Sequence, residues 1–151
     1  MPLDLKAEIR NRIASIDAER RKQLEAEQQA KSQRDERADK LKSAIDAAWA
    51  QIKPEVHRRG INELAVDITP QSRELAKLHA VLTKTMEREA KRPPELLFQV
   101  VEGGGLKVWA TADRTFGFRE RVISEQDEET QVAETLVDYV TGVLWLLPSK
   151  G

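Results

Sequence analysis

The 151-residue chain has no cysteine. It can therefore form neither a disulfide framework nor a zinc–thiolate site, and it has no thiol nucleophile. A cysteine-free composition suits a reducing compartment, and the first residues lack the apolar core of a signal peptide. The longest apolar run, Val143 to Leu147, is far shorter than the roughly 20 residues that span a bilayer. We expect a cytoplasmic protein that does not enter a membrane.

Glycine and proline are nearly missing from the first third of the chain. No glycine precedes Gly60, and no proline lies between Pro2 and Pro54. Without these helix breakers, the charged segment from Leu3 to Ile52 is predicted to be one long helix. Such a helix buries too little apolar surface to be stable alone. We therefore expect it to lie against the rest of the chain, a second copy or a protein partner.

The apolar residues of this helix form two clusters separated by a charged middle. The first cluster is Leu5, Ile9, Ile13 and Ile16, and the second is Leu41, Ala44, Ile45, Ala48, Trp49 and Ile52. Most heptad positions between them carry charged or amide side chains, where a stable two-stranded coiled coil needs apolar ones. The pattern predicts a coiled-coil-like rod that is weakly zipped in its centre. A helical hairpin that turns near Ser32 is an alternative, because it also brings the two clusters together.

Charge is distributed unevenly between the two parts of the chain. Residues 1–60 carry 14 Lys+Arg and 11 Asp+Glu, whereas residues 61–151 carry 11 and 15. The predicted organisation is a helical oligomerisation or docking arm over 1–60 and a small domain over 61–151. Since the domain is acidic, its net charge does not favour general nucleic-acid binding.

The pattern of the second part predicts an α+β fold. Alternating apolar residues at Leu64, Val66 and Ile68 indicate a strand, and Thr69-Pro70 is typical of a helix start. The predicted elements are a strand at 64–68, a helix at 70–91, strands at 96–101, 106–112 and 116–123, and a helix at 125–147. Glycines 103–105 and residues 113–115 are the predicted turns of an antiparallel sheet. The predicted fold is therefore a long helix followed by a β-α-β-β-β-α domain.

The outer face of the predicted sheet is a candidate nucleic-acid site. Its period of two places Lys107, Trp109, Arg119 and Arg121 together, opposite the core-facing residues. An aromatic ring among basic side chains can stack on bases and hold phosphates. The predicted element order is similar to that of ribosome hibernation factors and, without its first strand, of double-stranded RNA-binding domains. The alternative interpretation is that Trp109 packs under the long helix while the arginines pair with nearby carboxylates.

Surplus apolar residues indicate protein interfaces. The candidate interface residues are Ile9, Ile13, Ile16, Leu41, Ile45, Trp49, Trp145 and Leu146. The last two lie in an apolar stretch that is broader than one core-facing stripe requires, so either the stretch is buried on several sides or it binds another chain. Trp49 is also expected to anchor the long helix on the domain.

No catalytic, metal or cofactor motif is recognisable. His57 and His79 have no companion ligands at metal-site spacing, and Gly103 to Gly105 is not followed by a helix that could hold a phosphate. We predict a non-enzymatic interaction or assembly subunit that binds a protein partner or a second copy of itself through its first helix. The alternative is an RNA- or ribosome-associated protein that uses the sheet face around Trp109.

Overall fold

The computed structural model describes residues 4–111 and 116–148. A long helix is followed by a five-stranded antiparallel sheet and a final helix, so the α+β class predicted from the sequence is confirmed. The elements are α1 (Leu5–Val56), β1 (Ile61–Ile68), β2 (Glu74–Leu82), a short helix α2 (Lys84–Glu87), β3 (Glu95–Val100), β4 (Leu106–Ala110), β5 (Arg121–Ile123) and α3 (Glu128–Leu146).

Helix α1 is unbroken over 52 residues, a length of about 78 Å at 1.5 Å per residue. The hairpin near Ser32 does not form. The Asp4 carboxylate caps the first turn by accepting a hydrogen bond from the Ala7 N–H at 3.3 Å. Pro54 is tolerated in the last turn, and a 3₁₀ turn then ends at Gly60, whose φ of 111° only glycine adopts easily. A Cβ at Gly60 would also lie 2.8 Å from Met86 Cγ.

The sheet is a simple meander in which β1 to β5 pair in chain order. One face carries the buried side chains of Leu64, Leu78, Leu96 and Val108, together with Phe98, which is fully buried. None of the helices in the described part of the chain covers the other face. Alternation along each strand therefore separates a core face from an open face.

The predicted helix over 70–91 is wrong, because residues 74–82 form strand β2. Leu78 and Leu82 are four positions apart, a spacing that fits both a helix and a strand. Hydrogen-bonded neighbours on both sides, β1 and β3, decide in favour of the strand. Thr69 does not cap a helix. Its hydroxyl donates to the Glu74 carbonyl at 2.9 Å and closes the β1–β2 turn.

The domain therefore has the order β-β-β-β-β-α with a short helix after β2, and the similarity of element order to RNA-binding folds does not hold. The predicted final strand is shorter than expected, since only residues 121–123 pair with β4. The predicted turn at 113–115 lies outside the described residues.

The core lies between the core face of the sheet and two helices. Helix α3 runs parallel to the last third of α1, because Glu128 at its start contacts Arg37 and Leu147 at its end lies against Gly60. The buried Tyr139 hydroxyl ties α3 to the sheet by donating to the Pro94 carbonyl and accepting from the Ala80 N–H. Burial raises the pKa of this phenol. Residues 38–56 of α1 thus belong to the same core as the domain.

Candidate interaction site on the N-terminal helix

The first half of α1 projects beyond the domain. Every side chain from Ile9 to Gln33 is more than about a third exposed, whereas burial begins near Arg37 and Ala38. We call residues 5–33 the rod. Its length of about 40 Å leaves a long helical surface outside the chain's own fold.

An apolar stripe runs along the rod. The exposed fractions are 70% for Leu5, 59% for Ile9, 52% for Ile13 and 49% for Ile16. Spacings of four, four and three place these residues on one side of the helix. Single exposed hydrophobic residues are common on protein surfaces, but a row of four on one helix face is typical of a contact surface.

The stripe continues the core-facing side of the same helix. Its four residues are repeated 36 positions later by Leu41, Ile45, Trp49 and Ile52. Thirty-six positions are ten turns of about 3.6 residues, so the two sets point in the same direction around the axis. The second set is buried or half-buried by the sheet and α3. In the rod, the same apolar side of the helix is therefore exposed to solvent.

Leu41, Ile45 and Trp49, predicted as interface residues for another chain, lie in the chain's own core. The expected role of Trp49 as the anchor of the helix agrees with this position. Its indole N–H donates to the Glu63 carboxylate on β1, which also accepts from the Lys53 ammonium at 2.9 Å. These hydrogen bonds, from Lys53 and then Trp49, lower the pKa of Glu63.

A buried ion pair holds α1 where it leaves the domain. The Arg37 guanidinium donates to Glu128 at the start of α3 and to the Gly104 carbonyl, the latter at 2.7 Å. The Glu128 side chain is only 1% exposed, and the Lys40 ammonium lies 3.9 Å from its second oxygen. Because a buried charge is costly without its partner, any placement of α1 that separated Arg37 from Glu128 would be destabilised.

A cleft of about 980 Å³ lies beside this ion pair. Its lining includes Ala30, Arg34 and Arg37 from α1, Gln71 from the β1–β2 turn and Gly104 from the β3–β4 turn. The Gln71 amide donates to Asp35 at 3.2 Å across one side. The cleft marks the boundary between the rod and the covered part of α1.

Trp145 and Leu146 lie at the other end of the domain. Trp145 is 85% exposed, while Leu146 is half-buried against the core. Because α3 runs parallel to α1, the tryptophan is near the C-terminal end of α1 and far from the rod. The predicted interface residues therefore form two separate surfaces.

The open sheet face holds two of the four predicted nucleic-acid residues. Lys107 and Trp109 lie side by side there, with the ammonium 5.6 Å from the ring centroid. Lys107 also pairs with Glu120 at 3.0 Å. Trp109 does not pack under the long helix, which lies on the opposite face. The ring is half-buried beside Leu97.

The predicted outward position of Arg121 is wrong. It pairs with Val108 in the sheet register and so lies on the helix-bearing side, where its guanidinium contacts Asp138 of α3 at 2.7 Å and the Phe118 ring. Arg119 is exposed but lies before β5, in a segment without regular structure. These four residues do not form one basic surface, and nucleic-acid binding stays a prediction.

Across residues 4–111 and 116–148, no three His, Cys, Asp or Glu side chains are grouped as metal ligands. None of the helices in these ranges has the length and apolar character needed to cross a membrane. Comparisons of the chain with protein-family models, curated proteins and solved structures found no match. The exposed apolar stripe of the rod is therefore the feature from which a function can be argued.

Proposed function

We propose that this protein is a non-enzymatic assembly or docking subunit whose rod binds a protein partner or a second copy of the chain. The observation that carries the proposal is the exposed stripe of Leu5, Ile9, Ile13 and Ile16, which continues the core-facing side of α1. Full burial of one such side chain stabilises a complex by about 1.5–3 kcal/mol. A partner that covers the stripe thus gains a substantial hydrophobic contribution.

The anchoring of α1 supports the proposal. The buried Arg37–Glu128 pair and the Trp49 contact with Glu63 hold the covered part of the helix at both ends. Since helix α1 continues without a break into the rod, this attachment sets the direction in which the stripe faces. A preformed and oriented helix loses less conformational entropy on binding than a flexible tail.

The proposal can be tested with a photo-crosslinking amino acid at Ile13 of the full chain in its native cells. We expect a discrete covalent adduct, either with a second copy or with another protein. The matched control is the same amino acid at Ser15, which is also exposed but lies about 160° away around the helix. Identical labelling from both positions, or no adduct from Ile13, would contradict the proposal.

A further inference from the structure

The charges beside the apolar stripe change sign along its length, from positive near Ile9 to negative after Ile16. On one flank Arg10 precedes Asp17 by seven positions, and on the other Arg12 precedes Glu19 by seven. All four side chains are exposed. Seven positions are two helical turns, so each flank carries a positive group and then a negative group in line. The charges of two such helices are therefore complementary when the helices run in opposite directions.

We propose that the rod pairs with the rod of a second copy as an antiparallel two-helix coiled coil. This inference rests on the proposed function of the rod as the docking element. In the pairing, Ile13 faces Ile16 of the second copy, and the twofold axis passes between Ala14 and Ser15. The isoleucines at 9, 13 and 16 of both copies then form the centre of the interface.

This register places opposite charges together on both flanks. In antiparallel coiled coils, residues beside the core face the equivalent flank of the other helix. Arg12 then faces Glu19 of the second copy, and Arg10 faces Asp17 of the second copy. Each contact occurs twice because of the symmetry. Arg12 already pairs with Glu8 at 2.8 Å, but its guanidinium is 77% exposed and has five N–H donors, enough for a second carboxylate.

Charged residues in the core positions favour the antiparallel direction. Lys6, Arg20 and Glu27 occupy the same heptad position as Ile13. A parallel pair in register would place each of them against its own copy, with like charges in contact. In the antiparallel register, Lys6 faces Gln23 of the second copy and Arg20 faces Ile9 of the second copy, where the arginine stem can cover apolar surface.

The position of the domain also favours this direction. The stripe and the buried set from Leu41 to Ile52 point the same way, so each domain lies on the side of α1 that its partner helix must approach. Two parallel helices would therefore bring both domains into the same space. In the antiparallel register the overlap covers about residues 5–24, and it ends before Ala30, where the cleft begins.

The direction of pairing can be measured with a spin label at Ser32→Cys. Ser32 is exposed on the rod, and the chain has no other cysteine. The antiparallel register separates the two labels by 35 positions, so we expect a dimer of twice the 17.1 kDa chain mass with a label distance of about 50–60 Å. A parallel pair would give about 35 Å or less. That shorter distance would overturn the inference but not the role of the rod in assembly.

A charge-exchange series tests the register itself. Arg12→Glu should weaken dimerisation about fivefold, because two exposed ion pairs become repulsive. The double variant Arg12→Glu/Glu19→Arg should restore the affinity. In a parallel coiled coil, Arg12 would instead face Asp17 of the second copy. The matched double variant Arg12→Glu/Asp17→Arg would restore that parallel contact, so we expect its dimerisation to remain weak. Recovery in the second double variant alone, measured by sedimentation equilibrium, would overturn the inference.

A chain that stays at 17.1 kDa at every concentration would also overturn the antiparallel dimer. If such a monomer still forms a discrete adduct from Ile13 with another protein, the proposed docking function stands and only the identity of the partner changes. If Ile13 forms no adduct at all, both proposals fail.

Discussion

The two parts of α1 carry nearly the same apolar pattern but have opposite surroundings. Leu5, Ile9, Ile13 and Ile16 are about half or more exposed, while the residues 36 positions later are buried or half-buried. Both sets lie on the same side of one continuous helix. The difference arises outside the helix, since the sheet and α3 cover only the part after Arg37.

In α1, the formation of the helix and the burial of its apolar side depend on different parts of the chain. The charged middle of α1 forms a helix without apolar contacts of its own, because it is continuous with a segment that the core stabilises. Helix growth costs little once a stable turn exists, so the packed part supports the rod. An apolar stripe therefore shows which side of a helix can be covered, but not what covers it.

The largest effect is expected at the boundary between the two parts. Glu128→Ala leaves the Arg37 guanidinium largely buried without its carboxylate and should lower the free energy of unfolding by about 3–5 kcal/mol. The neighbouring exposed Glu129→Ala is the control and should change it by less than about 0.5 kcal/mol. Urea unfolding followed by circular dichroism measures both. Equal effects would mean that the ion pair does not hold α1 on the domain.

A matched pair of substitutions compares the two apolar sets directly. Ile45→Ala should cost about 2–5 kcal/mol, because it opens a cavity in the core. Ile9→Ala, 36 positions earlier on the same side, should cost less than about 0.5 kcal/mol in the monomer. Both are measured by urea unfolding at a concentration where no association occurs. A large loss for Ile9→Ala would show that the rod is packed against its own chain.

The smallest effect concerns the contact of Glu63 with the C-terminal end of α1. Because Lys53 and Trp49 lower the pKa of Glu63, its carboxylate stabilises the fold above the ordinary value of 4.5 and loses this effect as pH falls through the lower folded value. Glu63→Gln should therefore be less stable at pH 7 by under about 1 kcal/mol, since the pair is half-exposed. Unfolding curves at pH 7 and pH 3 test this. A difference that grows towards pH 3 would contradict it.

Most of the fold could be predicted from local patterns, and strand β2 shows where such patterns end. The long helix, the α+β class and the glycine turn after β3 follow from residues close together in sequence. In β2, the spacing of Leu78 and Leu82 fits both the 3.6-residue period of a helix and the two-residue period of a strand. Pairing with the neighbouring strands β1 and β3 favours the strand. Local sequence patterns do not indicate which strands become neighbours in the sheet.

The candidate site also has residues that local patterns could predict and residues that they could not. The stripe of Ile9, Ile13 and Ile16 was recognisable from its spacing, because helical geometry alone puts these residues on one side. Arg121 was assigned to the wrong side of the sheet, since the strand begins only at that residue and its register with Val108 sets the alternation. The Arg37–Glu128 pair was missed, because its partners are 91 positions apart and nothing local marks either of them.

Local sequence features predicted one long helix over residues 3–52 with an apolar cluster towards each of its ends. The absence of glycine and proline and the regular apolar spacing favour a helix locally, but the stability of this helix also depends on the core that packs against residues 38–56. Which of the two apolar clusters is covered depends on tertiary contacts. Burial depends on the sheet and α3, which are assembled from segments far along the chain. The sheet and α3 extend along α1 only as far as about Arg37. The core therefore ends there, and the stripe of the rod is exposed.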